Sequence, residues 1–289
     1  MSAHDTALRL TFLGTGNAAQ TPVYGCACPV CARARQETAY RRGPCSALLE
    51  IAGQRWLIDS GLPDLAERFP VGSLTGILQT HYHADHAEGL LRLRWGLAPP
   101  LPVYGPDDPA GFADLYRHPG PLDFSRPFTA FERRRMTSAN RARPMGEEYP
   151  VEGEPLASDD TGVFYVTAIP LAHSRPCFGY LIEAAPADSA RNVRLAYLTD
   201  TVGLPPESET YLKRQRIDLL VLDATFPPQP SAPRNHNDLT RALQTAAVLA
   251  PGKTLLTHIG HTLDAWLSSP DAQLPPGVAC AKDGAYVEF

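Results

Sequence analysis

Long apolar runs are missing from this chain. None of its 289 residues lies in a stretch approaching the length needed to cross a bilayer, so no membrane association is expected. The amino terminus, Met1-Ser2-Ala3-His4-Asp5-Thr6, lacks the basic and apolar regions of a signal peptide, and a cytoplasmic protein is the expectation. Excess positive charge is lacking too. A formal net charge of −5 argues against a general nucleic-acid coat protein. The six cysteines do not spread as a disulfide framework would. Cys26, Cys28 and Cys31 are packed as Cys-x-Cys-x-x-Cys, which is the clustering of a metal site, and Cys45, Cys177 and Cys280 read as scattered, small, buried apolar residues. The hydrophobic content of 44% is enough to fill a proper core.

What is present is concentrated in residues 80–89, Thr-His-Tyr-His-Ala-Asp-His-Ala-Glu-Gly, which put three imidazoles and a carboxylate into six positions. The run before it, 75–80, reads as a buried strand, and the run after it as a helix over 85–94. The cluster thus sits at the carboxyl end of a strand, where open α/β sheets place their sites. In extended backbone His81 and His83 point to one side and suit one metal. Asp85 and His86 follow the bend and suit a second. Imidazole with carboxylate suits zinc, manganese or iron(II).

Along the chain, strands are expected at 8–13, 46–51 and 55–58 (a hairpin around Gly53), 101–104, 163–171, 177–183, 194–198, 217–222 and 254–257, and helices at 108–117 and 238–249, the latter capped by Asn237 or Asp238. Another helix begins at 264–267, and Asp283-Gly284 signals a terminal hairpin over 278–289. Gly14-Thr15-Gly16-Asn17 reads as a structural turn. Residues 126–162 are polar and aperiodic, an insertion or lid carrying Arg133, Arg134, Arg135, Arg141 and Arg143, partly neutralised by Glu147, Glu148, Glu152 and Glu154. His118 has no ligand spacing and reads as a capping or packing residue. Four apolar strands end at ligand-type residues, His81, His173, Asp200 and His258, which points to strand ends converging on one site. Three cysteine thiolates make an incomplete tetrahedron, since structural zinc takes four ligands. His261, left over from His258-Ile259-Gly260-His261, is the natural fourth. His236 precedes a helix, and its spacing fits a capping residue as well as a general acid.

His-x-His-x-Asp-His resembles the signature of the metallo-β-lactamase superfamily. The cysteine loop, Tyr40-Arg41-Arg42-Gly43-Pro44-Cys45-Ser46, Val103-Tyr104-Gly105-Pro106, Phe178-Gly179-Tyr180-Leu181 and Pro233-Arg234-Asn235-His236 resemble, within it, the PhnP family of phosphoribosyl cyclic phosphodiesterases of the carbon–phosphorus lyase pathway. The resemblance implies one αββα-sandwich domain (α/β, four layers) over 1–289 with the insertion at about 126–162. It implies a first metal at His81, His83 and His173, a second at Asp85, His86 and His258, Asp200 bridging the two, and Asp59 supporting the metal loop from behind. It implies two Mn2+ (or Zn2+) ions, one structural Zn2+ on Cys26, Cys28, Cys31 and His261, and a homodimer. It further implies hydrolysis of 5-phospho-α-D-ribose 1,2-cyclic phosphate to ribose 1,5-bisphosphate in phosphonate catabolism. There a metal-bridging hydroxide attacks phosphorus, Asp85 belongs to the catalytic set and His236 assists the leaving group. Ser174 and Arg175, beside His173, are the substrate-pocket candidates. The expected partner is a small anionic phosphodiester, with neither membrane nor nucleic acid. The rival readings are a tRNA 3′-processing-like endonuclease, a general cyclic-nucleotide phosphodiesterase, a thioester or lactone hydrolase, and a non-enzymatic metal-binding module.

Overall fold

The computed structural model describes residues 8–51, 53–136, 164–184, 192–231, 233–270 and 272–289. The first half of the chain supplies β1 (Leu8–Gly14), α1 (Pro29–Gln36), β2 (Ser46–Ile51), β3 (Gln54–Ile58), α2 (Leu65–Arg68), β4 (Gly76–Leu78), α3 (Ala84–Ala87), α4 (Leu90–Leu93), β5 (Leu101–Tyr104), α5 (Ala113–Arg117) and β6 (Leu122–Asp123). The second half supplies β7 (Arg133–Met136), β8 (Phe164–Pro170), β9 (Phe178–Ala184), β10 (Val193–Leu198), α6 (Pro206–Lys213), β11 (Leu219–Asp223), α7 (Leu239–Leu249), β12 (Lys253–Thr257), α8 (His261–Leu267), β13 (Val278–Cys280) and β14 (Tyr286–Glu288). They form two seven-stranded mixed sheets, ordered β14-β1-β2-β3-β4-β5-β6 and β13-β12-β11-β10-β9-β8-β7.

The period of two along a strand explains the layering. In β3, Trp56 and Ile58 face the core between the sheets, while Leu57 faces the core under α2 and α4. In β10 and β11, Leu195, Tyr197, Leu219 and Val221 face the inter-sheet core. Ala196, Leu198, Leu220 and Leu222 face the other way, toward α6 and α7. Helices therefore cover both outer faces, giving the αββα sandwich. In α7, Leu239, Ala242, Ala246 and Leu249 form the buried stripe, and the Asp238 carboxylate caps its start by accepting from the Arg241 N–H at 3.0 Å.

The parallel runs β3-β4-β5-β6 and β10-β11-β12-β13, with β8 running alongside β10 through antiparallel β9, send their carboxyl ends to one edge of the sandwich. That edge carries the site.

Several expectations need correction. The helix expected over 85–94 is two short pieces, α3 and α4. The chain must ride over the loop after β3, where Ser60 N–H donates to the His86 carbonyl at 2.7 Å and Gly89 N–H to the Ser60 carbonyl at 2.8 Å. A Cβ at Gly89 would overlap the Ser60 and Leu62 carbonyls. Of 108–117, only Ala113–Arg117 is helical, because the preceding segment curls back, Gly111 N–H donating to the Asp108 carbonyl. The terminal hairpin is not formed: β13 pairs with β12 and β14 with β1, so the Asp283-Gly284 turn crosses between the sheets. Residues 133–136, expected as irregular insertion, are the edge strand β7. Arg133 pairs there with Glu183 at 2.8 Å, Arg134 bonds Glu132 and lies over Phe128, and Arg133 covers Tyr165. Aliphatic stems and guanidinium planes let an arginine run cover a sheet edge. Residues 137–162 of the insertion, with Arg141, Arg143 and the four glutamates, lie outside the described residues. Cys45 and Cys177 are buried as expected, whereas Cys280 is only half-buried.

Candidate metal centre

Five of the seven ligand-type side chains follow strand ends, and Asp85 and His86 lie in α3. His81 and His83 follow β4, His173 follows β8, Asp200 follows β10, and His258 follows β12. Asp59, Asp200 and His258 have φ of 60°, 59° and 58°, left-handed backbone that turns a side chain sharply off the strand line. His81, His86, Asp200 and His258 are each no more than 1% exposed.

The atoms converge. His83 Nδ1 lies 3.0 Å from both His81 Nε2 and His173 Nε2. Asp85 Oδ2 is 3.3 Å from His86 Nε2 and 3.6 Å from His258 Nε2. Asp200 stands between the two groups. Its Oδ1 is 3.9 Å from His81 Nε2 and from His173 Nε2 and 3.5 Å from His258 Nε2, and its Oδ2 is 3.1 Å from His86 Nε2. Yet His86 Nε2 and His258 Nε2 are buried and make no hydrogen bond. A buried ring nitrogen without a partner costs stability unless a cation takes its lone pair. The opposite ring nitrogens of four of the five clustered histidines are anchored. His86 Nδ1 meets Asp59 Oδ2 at 2.8 Å, His81 Nδ1 meets Thr80 Oγ1 at 3.1 Å, His173 Nδ1 meets the Asn235 carbonyl at 3.1 Å, and His258 Nδ1 meets Thr225 Oγ1 at 2.9 Å. That is the orienting pattern behind metal-ligating imidazoles.

Electrostatics agree with a site built for cations. Burial, with repulsion from the other imidazoles, drives His81 well below its ordinary pKa. Burial raises Asp200, but the attraction of His258, His86 and His81 outweighs it and holds the carboxylate well below its ordinary value. Asp59 does not join the cluster directly. Its carboxylate accepts from Thr80 N–H at 2.7 Å and from the Gln79 amide at 3.1 Å, and it touches the centre through His86.

His236 sits at the rim, about one-fifth exposed, stacked on His258 at 4.7 Å between ring centroids. Its Nδ1 is 3.0 Å from Asp223 Oδ2 and 3.6 Å from Asp200 Oδ1. Burial alone lowers its pKa, but the Asp223 hydrogen bond and charge lift it to about 9. Arg175 is also at the rim, donating to Asp108 Oδ2 at 3.3 Å. Ser174 is exposed, and none of the hydrogen bonds of the clustered side chains reaches it.

Sequence reading missed three residues here. Asp223 orients His236 and accepts from Thr225 Oγ1 at 3.0 Å, which also joins it to His258. Its signal was in view, since β11 ends in a carboxylate much as Asp200 follows β10. Gln79 is fully buried and its amide donates to the carbonyls of His81 at 2.7 Å and His86 at 2.8 Å, pinning the motif's bend. The third is Thr225 itself, whose role depends on geometry alone.

The cysteine loop forms a separate knot. Cys26, Cys28 and Cys31 Sγ lie 3.6, 3.5 and 3.5 Å from His261 Nδ1. One ring nitrogen cannot hydrogen-bond three thiols at once. A tetrahedral zinc with bonds of about 2.3 Å to sulfur and 2.0–2.1 Å to nitrogen puts those atoms about 3.5 Å apart. Burial raises Cys28, yet the Cys31 N–H, His261 and the neighbouring thiols bring it down to about 6, whereas burial pushes Cys31 up to about 11. Ionising all three therefore calls for a cation among them.

Comparison with known proteins follows this geometry. Residues 54–259 match the family model described as "Beta-lactamase superfamily domain". Over 166 residues the chain is 30% identical to ribonuclease BN of Escherichia coli O139:H28 (strain E24377A / ETEC), a match covering 52% of this chain. That match takes in 45% of the relative, so the chain spans less than half the length of the curated relatives it matches. A solved diphosphatase from the PhnP family is 26% identical with a TM-score of 0.69, covering 98% of this chain and 97% of that one. Zinc-bound PqqB from Methylobacterium extorquens (17% identity, TM-score 0.65, covering 97% of this chain and 100% of that one) shares the fold. So does the short form of human tRNase Z (21%, 0.59, covering 96% and 98%). The chain belongs to the beta-lactamase superfamily, with a PhnP-like metallo-β-lactamase build.

Proposed function

We propose that the protein is a divalent-metal phosphodiesterase acting on a small cyclic phosphodiester, with 5-phospho-α-D-ribose 1,2-cyclic phosphate as the substrate the PhnP likeness favours. The observation that carries this reading is the pair of adjoining ligand groups sharing Asp200, with the unpartnered nitrogens of His86 and His258 between carboxylates. His81, His83 and His173 would hold one cation, Asp85, His86 and His258 the other, and Asp200, which stands between the two groups, would serve both. Two Mn2+ or Zn2+ ions there supply Lewis acidity toward the phosphoryl oxygens and lower the pKa of a bound water. Cys26, Cys28, Cys31 and His261 would hold a structural Zn2+.

The chain's own residues do the rest. Asp223 takes the Nδ1 proton side of His236, leaving Nε2 as the nitrogen that gives a proton to the departing alkoxide. The Asp223 carboxylate favours the imidazolium, the form that gives this proton and offsets the developing negative charge on the leaving oxygen. Asp59, Thr80, Thr225 and the Asn235 carbonyl fix the ligand rings, so no reorientation is needed during the reaction.

A ribonuclease reading is favoured by one observation, the 30% identity to ribonuclease BN over 166 residues. The test is metal analysis of the purified protein coupled to parallel assays on a ribose cyclic phosphate, a nucleoside diphosphate and a pre-tRNA. Turnover of the cyclic phosphodiester with about two cations beyond the zinc supports the proposal. Cleavage of pre-tRNA alone, or of the diphosphate alone, would overturn it.

A further inference from the structure

We propose that Thr199 is the positioning residue of the Asp200 carboxylate, and that Cys45 sets the direction of the Thr199 hydroxyl from behind. This inference rests on the two-cation reading above. Thr199 Oγ1 donates to Asp200 Oδ2 at 2.8 Å. Cys45 Sγ lies 3.7 Å from that same Oγ1, 3.5 Å from the Tyr197 hydroxyl and 3.4 Å from Thr257 Oγ1. All four side chains are fully buried. Cys45 leads into β2 of the first sheet, whereas Tyr197, Thr199 and Thr257 belong to β10, the turn after it and β12 of the second. The thiol thus joins the two sheets, and it meets the residues directly before the left-handed corners at Asp200 and His258.

The protons in this cluster have one consistent order. A carboxylate only accepts, so Thr199 spends its single proton on Asp200. Toward Cys45 the Thr199 oxygen can then only accept, and the S–H points at it. The hydroxyls of Tyr197 and Thr257 have the sulfur as their one hydrogen-bond partner among the described residues, and they donate to it. A buried hydroxyl left without a partner is costly, which holds this order in place. The consequence falls on Asp200. A carboxylate turns about its last torsion with roughly two-fold freedom, so its two oxygens exchange places easily. A hydrogen bond to a charged oxygen is strong enough to remove that freedom. It pins Oδ2 at 3.1 Å from His86 Nε2 and leaves Oδ1 to face His258 at 3.5 Å and His81 and His173 at 3.9 Å. Thr199 is branched at Cβ, so its own χ1 is stiff and the donor stays aimed. Cys45 is therefore the hub of a dry polar cluster, and more than a small apolar filler.

The test compares Thr199→Val, which keeps the shape and loses the proton, with Thr199→Ser, which keeps the proton and loses a methyl group. Mn2+ is titrated by calorimetry into protein freed of its reactive cations by mild chelation. Thr199→Val is expected to bind Mn2+ about 10–100-fold more weakly, and Thr199→Ser to stay close to the wild type. A merely structural role would give the opposite order, since serine packs less well than valine in this space. Cys45→Ala is expected to show a smaller loss than Thr199→Val, with Cys45→Ser restoring most of it. Wild-type affinity in Thr199→Val, or an equal loss in Thr199→Ser, overturns the assignment, and an unchanged Cys45→Ala overturns the part given to Cys45. If Thr199→Val does not fold, Thr199→Ala takes its place under the same criteria. If the wild type takes up no divalent cation beyond its zinc, the two-cation reading fails by itself, and crystal structures of the wild type and Thr199→Val decide the role of Thr199. An Asp200 carboxylate turned from its wild-type orientation supports it, and an unmoved one overturns it.

Discussion

The two ligand clusters make an instructive pair. The cysteine knot draws three of its four members from residues 26–31, keeps Cys26 and Cys28 partly exposed, and aims all three sulfurs at one nitrogen. The histidine–aspartate cluster draws on residues 81 to 258, spans both sheets, is almost wholly buried, and leaves two ring nitrogens without a hydrogen bond. A closed set of soft ligands suits a structural ion, and an open set of imidazole and carboxylate beside a rim histidine suits a reactive one. They are nonetheless joined in the chain: His258 and His261 flank Gly260, whose N–H donates to the Thr225 carbonyl, and Thr225 Oγ1 meets His258 Nδ1. The knot can thus steady a strand end of the reactive cluster without touching its chemistry.

That contrast can be broken by substitution. The largest effect is expected for Asp200→Asn, the residue common to both ligand groups. Elemental analysis should find fewer than two cations beyond the zinc, and kcat should fall on the order of 10³-fold or more. Next comes His236→Ala, expected to keep its cations by the same analysis while phosphodiester turnover drops about 10²–10⁴-fold. An unchanged rate would remove His236 from the mechanism. Asp59→Asn, which weakens the anchor of His86, should loosen cation binding about 10–100-fold in a chelator titration. His261→Ala inverts the pattern. It should lose zinc and melt on the order of 10 °C lower by calorimetry while the reactive cations stay, with the smallest effect on kcat of the four. Loss of a reactive cation from that variant would mean the two clusters are one unit.

Much of this plan was legible in the sequence because its signals are local or periodic. Near-continuous apolar runs along β10 and β11 announce strands buried on both faces, and apolar strands followed by His81, His173, Asp200 and His258 announce convergence. What was not legible depends on partners distant in the chain. Arg133, Arg134 and Arg135 look like a solvated run until Glu183 and Phe128 are found beside them. Asp283-Gly284 has hairpin chemistry, yet the turn serves another end. The Asp283 carboxylate accepts from Thr15 Oγ1 at 2.6 Å and from Gly43 N–H at 2.7 Å, which ties the crossing between sheets to the loop after β1. Gln79 hides at the end of an apolar strand because its amide acceptors, the Asp59 carboxylate and the His81 and His86 carbonyls, come together only once the loop after β3 meets the bend after β4.

The left-handed corners at Asp59, Asp200 and His258 have a consequence for any comparison of variants. Valine, isoleucine and threonine are refused at such corners by backbone sterics before their chemistry is tested, and alanine mixes a conformational penalty with the loss of the functional group. Asparagine tolerates the same dihedral angles, so it isolates the charge, while glycine would relax the corner and silence it together. The main chain therefore restricts these three positions to a short alphabet of residues, and aspartate and histidine, the two that grip cations, are among its few letters.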